Sequence, residues 1–253
     1  AGALTLSAGR SALINANITT GNASLTITAN DLLSSGVVDA NRDPGDALLS
    51  VANGVSIDVG SGDLTLSLLN GAGKTNSGSG NLTIGDGATL QCSGAGSMTL
   101  TAQEHDIVLG NNSLLQTVNG TLMLSAGVSI TDANPVTLQT TGTGELILIT
   151  DSLFPTAPLF GNGAATFPLA TLATGGGRLL IYTSQRSLNS VPATINGTPY
   201  IPGPELVNSV TEKWDTYYPN SSGIPFTIFY KQQSLVPPVP PSPLPPSAVP
   251  TAV

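Results

Sequence analysis

Of the chain's 253 residues 40% are hydrophobic but only 9% are charged and 4% aromatic, so Ser, Thr, Asn and Gly carry solubility and charge-driven disorder is excluded for most of it. The net charge of -8 reflects a shortage of bases, Lys and Arg totalling seven, which excludes the clustered cationic surface that nucleic-acid binding requires. A single cysteine, Cys92, permits neither an internal disulfide nor a structural zinc site, and no run reaches the ~18 apolar residues of a membrane helix.

From the first residues a short phrase recurs: Leu4-Thr5-Leu6-Ser7, Leu25-Thr26-Ile27-Thr28, Leu64-Thr65-Leu66-Ser67, Leu82-Thr83-Ile84, Met98-Thr99-Leu100-Thr101, Leu122-Met123-Leu124-Ser125 and Leu146-Ile147-Leu148. Aliphatic residues alternate with Thr or Ser, the period of a strand with one buried face. Successive copies begin 21, 39, 18, 16, 24 and 24 residues apart. Taking the 39 as two repeats, with Ala47-Leu48-Leu49-Ser50 between them, gives an imperfect repeat of about twenty residues. A second phrase falls between these copies: Gly54-Val55-Ser56-Ile57, Gly87-Ala88-Thr89-Leu90 and Gly127-Val128-Ser129-Ile130. Each repeat thus holds at least two strands, separated by corners such as Asp58-Val59-Gly60-Ser61-Gly62-Asp63 and Gly85-Asp86-Gly87, whose glycines supply positive φ. Short strands at this spacing, with no helical periodicity, predict an all-β coil of stacked parallel strands. A β-sandwich is disfavoured, because no aromatic residue occurs in residues 1–153 to fill its core; an irregular all-β domain of another topology is the remaining alternative.

A boundary falls near Leu153: every Phe, Tyr and Trp lies between Phe154 and Tyr230, and the excess of acids is confined to the residues before it. Three segments are therefore expected: strand repeats over 1–153, final turns with an aromatic-rich cap over 154–233, and a Pro-rich linker over 234–253, an extended spacer because proline donates no ladder hydrogen bonds. Within the middle segment Gly177-Arg178-Leu179-Leu180-Ile181-Tyr182-Thr183-Ser184 reads as a strand, followed by a long excursion and a returning strand at Phe226-Thr227-Ile228-Phe229-Tyr230. Tyr200, Trp214, Tyr217 and Tyr218, on the excursion, stand open to two roles: a contact patch for a partner or sugar, or the packing of a cap over otherwise exposed strand edges.

These elements together resemble the filamentous haemagglutinin class of two-partner-secreted exoproteins, in which degenerate repeats are followed by a G-R-x-L-I-Y-S-like element, an Asn-containing excursion and a closing aromatic strand. Gly177 to Ser184, Asn189 and Phe226 to Tyr230 occupy those places. The resemblance is one of style over residues 1–230 and of motif only over 175–230. It implies a right-handed parallel β-helix solenoid, secretion through an outer-membrane partner, display on a Gram-negative cell surface, and non-catalytic adhesion to a host or bacterial glycan or protein. A structural subunit that self-associates into filaments or biofilm matrix is an alternative, and a type V autotransporter passenger would look similar. The N-terminal AGALTLSAGR lacks the basic-then-apolar form of a secretion signal and begins in mid-pattern, so a fragment of a longer chain is expected.

The third reading is a carbohydrate-active β-helix enzyme, which needs carboxylates stacked on one face of successive repeats. Asp58, Asp63 and Asp86 are its candidates, but Arg10, Arg42 and Lys74, far apart in sequence, offer no basic cluster beside them. The one histidine lies in Gln103-Glu104-His105-Asp106, which reads as a polar corner rather than a triad or metal site, since neighbouring strand residues face opposite ways. No cofactor or metal is expected. Thr is spaced too irregularly for the T-x-T ladders that an ice-binding face would want in successive turns, and Asn17-Ile18-Thr19, Asn81-Leu82-Thr83 and Asn119-Gly120-Thr121 are glycosylation triplets of the kind chance supplies.

Overall fold

The computed structural model describes residues 2–32, 37–71, 75–76, 78–132, 135–150 and 171–182, with the backbone of 165–166, 183, 194–195, 198–199 and 226–230. The fold is all-β: three sheets of parallel strands and, among the described residues, one 3-10 turn at Asp39–Asn41. The first sheet contains β1 (Leu4–Ser7), β4 (Leu25–Ala29), β7 (Leu64–Leu68), β10 (Met98–Ala102), β13 (Leu122–Ala126), β16 (Leu146–Ile149), β19 (Leu179–Thr183) and β22 (Phe226–Tyr230). The second contains β2 (Ala12–Ile14), β5 (Ala47–Val51), β8 (Ser79–Ile84), β11 (Ile107–Leu109), β14 (Ile130–Asp132) and β17 (Ala165–Thr166). The third contains β3 (Ile18–Thr19), β6 (Ser56–Asp58), β9 (Thr89–Gln91), β12 (Leu114–Thr117), β15 (Thr137–Thr140), β18 (Thr171–Thr174), β20 (Thr194–Ile195) and β21 (Thr198–Pro199). From β1 to β19 every strand pairs with the third strand after it, save β17 at the edge of its sheet and β18, which pairs with β20, so the chain visits the three sheets in turn; β20 and β21 form an antiparallel pair at one edge.

Parallel sheets in most proteins are covered by helices on both faces and read as unbroken apolar runs. Among the described residues no helix covers either face, and the strands keep the alternation legible in the sequence: β4, β7, β10 and β13 each show buried residues alternating with half-buried ones. The inward columns run Leu25, Leu64, Met98, Leu122, Leu146, Leu179 and Ile27, Leu66, Leu100, Leu124, Leu148, Ile181, in register across the first sheet. With Leu49, Leu82 and Ile107 of the second sheet and Ile57, Leu90 and Leu115 of the third, they form one continuous buried cluster. Each such aliphatic side chain contributes about 1.5–3 kcal/mol on burial. That core accounts for a fold with no disulfide and, among the described residues, one ion pair, between the exposed Arg178 and Glu145.

The register corrects the expected repeat. Paired first-sheet residues Leu4, Leu25, Leu64, Met98, Leu122, Leu146, Leu179 and Phe226 are 21, 39, 34, 24, 24, 33 and 47 residues apart; each step as far as Leu179 is one triplet of strands, one from each sheet, and the last spans β20 and β21 of the third sheet. The step of 39 is therefore one triplet, not two. Leu82-Thr83-Ile84 is no copy of the first phrase either, because it sits in β8 of the second sheet, paired with Leu49 and Ile107. Gly127-Val128-Ser129-Ile130 likewise leads into the second sheet, whereas its near-twin at Gly54 leads into the third. Insertions lengthen connections and leave the stacking untouched, since register is set by the inward columns.

The corners divide their glycines between two needs. Gly60 and Gly87 have φ of 59° and 66°, the left-handed region that the sequence pattern anticipates. Gly96, Gly120, Gly144 and Gly177 instead form a column with no room: a Cβ on each would press against the carbonyl oxygen of the glycine one triplet earlier, beginning with Gly62.

Candidate binding surface

The outward positions of the first sheet, set by the same register, form two columns. One runs Thr5, Thr26, Thr65, Thr99, Met123, Ile147, Leu180, and the other Ser7, Thr28, Ser67, Thr101, Ser125, Ile149, Tyr182. Over β1 to β10 this is an unbroken lattice of hydroxyls, about 4.8 Å apart between strands. The sequence reading expected no such array, because it measured spacing along the chain; insertions in the other two sheets make that spacing irregular while the columns stay aligned. The first column turns apolar at Met123 of β13, and the second, which still carries Ser125 there, at Ile149 of β16.

The third sheet presents an amide column. Asp58, Gln91, Gln116 and Gln139 are successive partners. Gln91 Nε2 donates to Asp58 Oδ2 at 2.8 Å, and Gln139 Nε2 donates to Gln116 Oε1 at 2.8 Å. Sequence reasoning missed this column, although Leu90-Gln91, Leu115-Gln116 and Leu138-Gln139 repeat in the chain.

The carboxylates proposed to stack do not share one face. Asp58 lies in this amide column and also accepts from the Gly60 N–H at 2.9 Å. Asp63 stands at the corner before β7, accepting from Ser97 N at 2.9 Å, and Asp86 at the corner before β9, accepting from Asn111 N at 2.7 Å. Each of these two belongs to a corner ladder in which a short polar side chain accepts the backbone N–H of the next triplet. Ser24, Asp63, Ser97 and Thr121 make one such ladder; Asn53, Asp86 and Asn111 make a second; Asn81, Asp106 and Ser129 a third. These residues satisfy N–H groups that would otherwise go unpaired at the corners. The asparagines of the three glycosylation triplets act in the same way, Asn17 accepting from Ser56 N, Asn81 from Asp106 N and Asn119 from Thr143 N.

His105 is exposed at a corner, between Glu104, which accepts from Ser79 Oγ at 2.9 Å, and Asp106, which is occupied in the ladder. Among the described residues no group of three His, Cys, Asp or Glu side chains could hold a metal ion. Two of the bases far apart in sequence serve one region: Arg42 Nη1 donates to Gly9 O at 2.5 Å and Arg42 Nη2 to Asn30 Oδ1, while Arg10 Nη1 donates to Asn76 O at 2.6 Å and Gly78 O at 3.1 Å. Their partners are backbone and amide oxygens, so both clamp the long connections between triplets. Lys74 lies outside the described residues.

The inward corner column of the third sheet holds hydroxyls that cap carbonyls: Thr20 Oγ1 donates to Ala23 O at 2.5 Å, Thr117 Oγ1 to Gly120 O at 2.7 Å and Thr140 Oγ1 to Gly144 O at 2.7 Å. Cys92, whose backbone N donates to Gln116 O, stands in this column and points its Sγ at Ser97 O, 3.6 Å away. Burial pushes its thiol up to about 12, so it is a weak-donor stand-in for threonine rather than a nucleophile.

Beside β1 and β2, Leu6 and Leu13, 44% and 60% exposed, line an open depression of about 520 Å³ together with Ala12, Ile14, Ile18 and Ile27. Tyr200, Trp214, Tyr217 and Tyr218 lie outside the described residues. Comparison with protein-family models, curated proteins and solved structures gave no match for this chain.

Proposed function

We propose that the three sheets wind as a right-handed parallel β-helix and that the chain is a non-catalytic, adhesin-like rod of the filamentous haemagglutinin type, exported and displayed on a bacterial surface. One observation carries this reading: the strand-to-third-strand pairing keeps outward columns aligned, so the rod offers long, nearly uncharged faces of Thr and Ser hydroxyls and Gln amides. Such a face suits a flat, hydroxyl-rich ligand such as a glycan, with donors and acceptors repeating at strand spacing. Binding to immobilised glycans and intact cells, measured alongside electron microscopy and light scattering, tests it. Short monomeric rods with saturable binding are expected; polysaccharide turnover would move the chain to the enzymes, and absence of binding across the panel would remove the adhesin reading.

A further inference from the structure

The outward threonines of β1, β4, β7 and β10 keep their hydroxyls for solvent. Thr20, Thr117 and Thr140 donate theirs to backbone carbonyls. By contrast, among the described residues the side chains of Thr5, Thr26, Thr28, Thr65, Thr99 and Thr101 make no hydrogen bond, and they are exposed or half-exposed. Each hydroxyl can both donate and accept. No charge stands among them: the outward pairs are Thr5 with Ser7, Thr26 with Thr28, Thr65 with Ser67 and Thr99 with Thr101.

This lattice is periodic in two directions and held firmly from behind. Its hydroxyls stand about 4.8 Å apart between strands and about 6.6 Å apart along them, two residues at a time. The branched Cβ of threonine restricts χ1. Beneath the face Leu25, Leu64, Leu66, Met98 and Leu100 are fully buried. One margin is pinned by Ser24 and Asp63, which accept from Asp63 N and Ser97 N; the other is pinned by Asn30 Nδ2, donating to Leu69 O at 3.0 Å, and Gln103 Oε1, accepting from Asn70 N at 3.0 Å. A ligand that is itself ordered in two dimensions meets such a face with little left to organise. A linear glycan would follow a single row and would find no aromatic ring among the lattice residues. The two repeats come close instead to the oxygen repeats on the prism face of hexagonal ice. Spacing along the chain disfavours an ice-binding face; the register, which aligns the T-x-T and T-x-S pairs on four successive strands, removes that objection.

We propose that the outer face of β1, β4, β7 and β10 binds ice, its hydroxyls taking the places of water oxygens at the crystal surface. This inference does not rest on the adhesin reading, which keeps the amide column of the third sheet.

Nanolitre osmometry and an ice-recrystallisation assay on the intact chain test it. A gap between melting and freezing points is expected, with faceted crystals during growth and small grains after annealing. Thr65→Lys and Thr99→Lys, each placing a long cation in the middle of the lattice, should abolish these effects. Thr137→Lys, the same change on the outward side of β15, should leave them intact. Circular dichroism confirms that each variant is folded. A folded intact chain without effect on ice overturns the proposal, as does an effect that Thr65→Lys leaves unchanged or that Thr137→Lys removes equally. Loss of glycan binding in Thr65→Lys, from a chain without effect on ice, gives the lattice to the sugar and leaves the adhesin reading standing.

Discussion

Replacing Thr117 by Val isolates the contribution of the inward hydroxyl column. Thr117 is fully buried and its Oγ1 donates to Gly120 O at 2.7 Å. Valine keeps the branched shape, so no cavity opens and the packing of Leu115 beside it is undisturbed; what changes is that a buried carbonyl loses its donor. A neutral hydrogen bond contributes about 0.5–1.5 kcal/mol net, and a buried acceptor left unpaired costs about 1–3 kcal/mol. The extra methyl returns less than ~0.8 kcal/mol, the value of one buried CH₂ group, so a net loss of about 1–3 kcal/mol is expected. For a domain of this size that lowers the thermal midpoint by about 2–12 °C. The assay is thermal and urea unfolding followed by circular dichroism, with Thr117→Ser as comparison because it keeps the hydroxyl and loses only a methyl group. Thr117→Val should be the more damaging, with the urea slope unchanged since the surface exposed on unfolding is the same. If Thr117→Val changes stability by less than ~0.5 kcal/mol, or Thr117→Ser is the worse of the two, the capping account of the column is wrong.

Three further outcomes follow from the same geometry. Cys92 should resist thiol reagents until the chain is unfolded; because its pKa rises from 9.0 to about 12 on folding, the folded state holds its proton longer, and stability should fall as pH climbs through that interval, an effect Cys92→Thr removes. Asp132 continues the inward column of Val51, Ile84 and Leu109, with both carboxylate oxygens buried and without a hydrogen-bond partner among the described residues, and burial raises its pKa. The folded state therefore binds its proton more tightly, stability declines as pH rises above the ordinary carboxylate range, and Asp132→Leu should raise the unfolding midpoint at pH 7 but gain little near pH 3. Gly144→Ala should lower the midpoint sharply, by over ~2 kcal/mol, because its Cβ meets the Gly120 backbone carbonyl, whereas alanine at the open, positive-φ Gly54 should cost about 1 kcal/mol.

The parallel strands and their inward leucines were readable because alternation in Leu64-Thr65-Leu66-Ser67 and its relatives needs only neighbouring residues. Which sheet a strand joins was not readable: Leu82-Thr83-Ile84 has the same alternation as Leu25-Thr26-Ile27 but sits in the second sheet, since a period of two specifies a strand and says nothing of its partner. The surface suffered most from this. Counting along the chain scattered the threonines and spread the glutamines, whereas the register gathers Thr26, Thr65 and Thr99 into one column and Gln91, Gln116 and Gln139 into another. The corner acids read as solvated because no sequence rule says that Asp63 accepts from the Ser97 N–H, 34 residues ahead.

The corner ladders also have a direction. Asn17 serves Ser56, Asn22 serves Ser61, Ser24 serves Asp63, Asn53 serves Asp86, Asn81 serves Asp106 and Asn119 serves Thr143: in each case the earlier side chain receives the later backbone N–H. Gln103, which accepts from Asn70 N, runs the other way. A finished triplet thus presents acceptors already fixed in place, and the triplet that follows arrives with the matching donors. Growth toward the C-terminus meets a prepared template, while growth toward the N-terminus would have to order acceptor and donor together. A chain threaded through a membrane pore with its N-terminus leading would find its own folded end waiting for each new stretch, so that the act of emerging and the act of folding advance in the same sense.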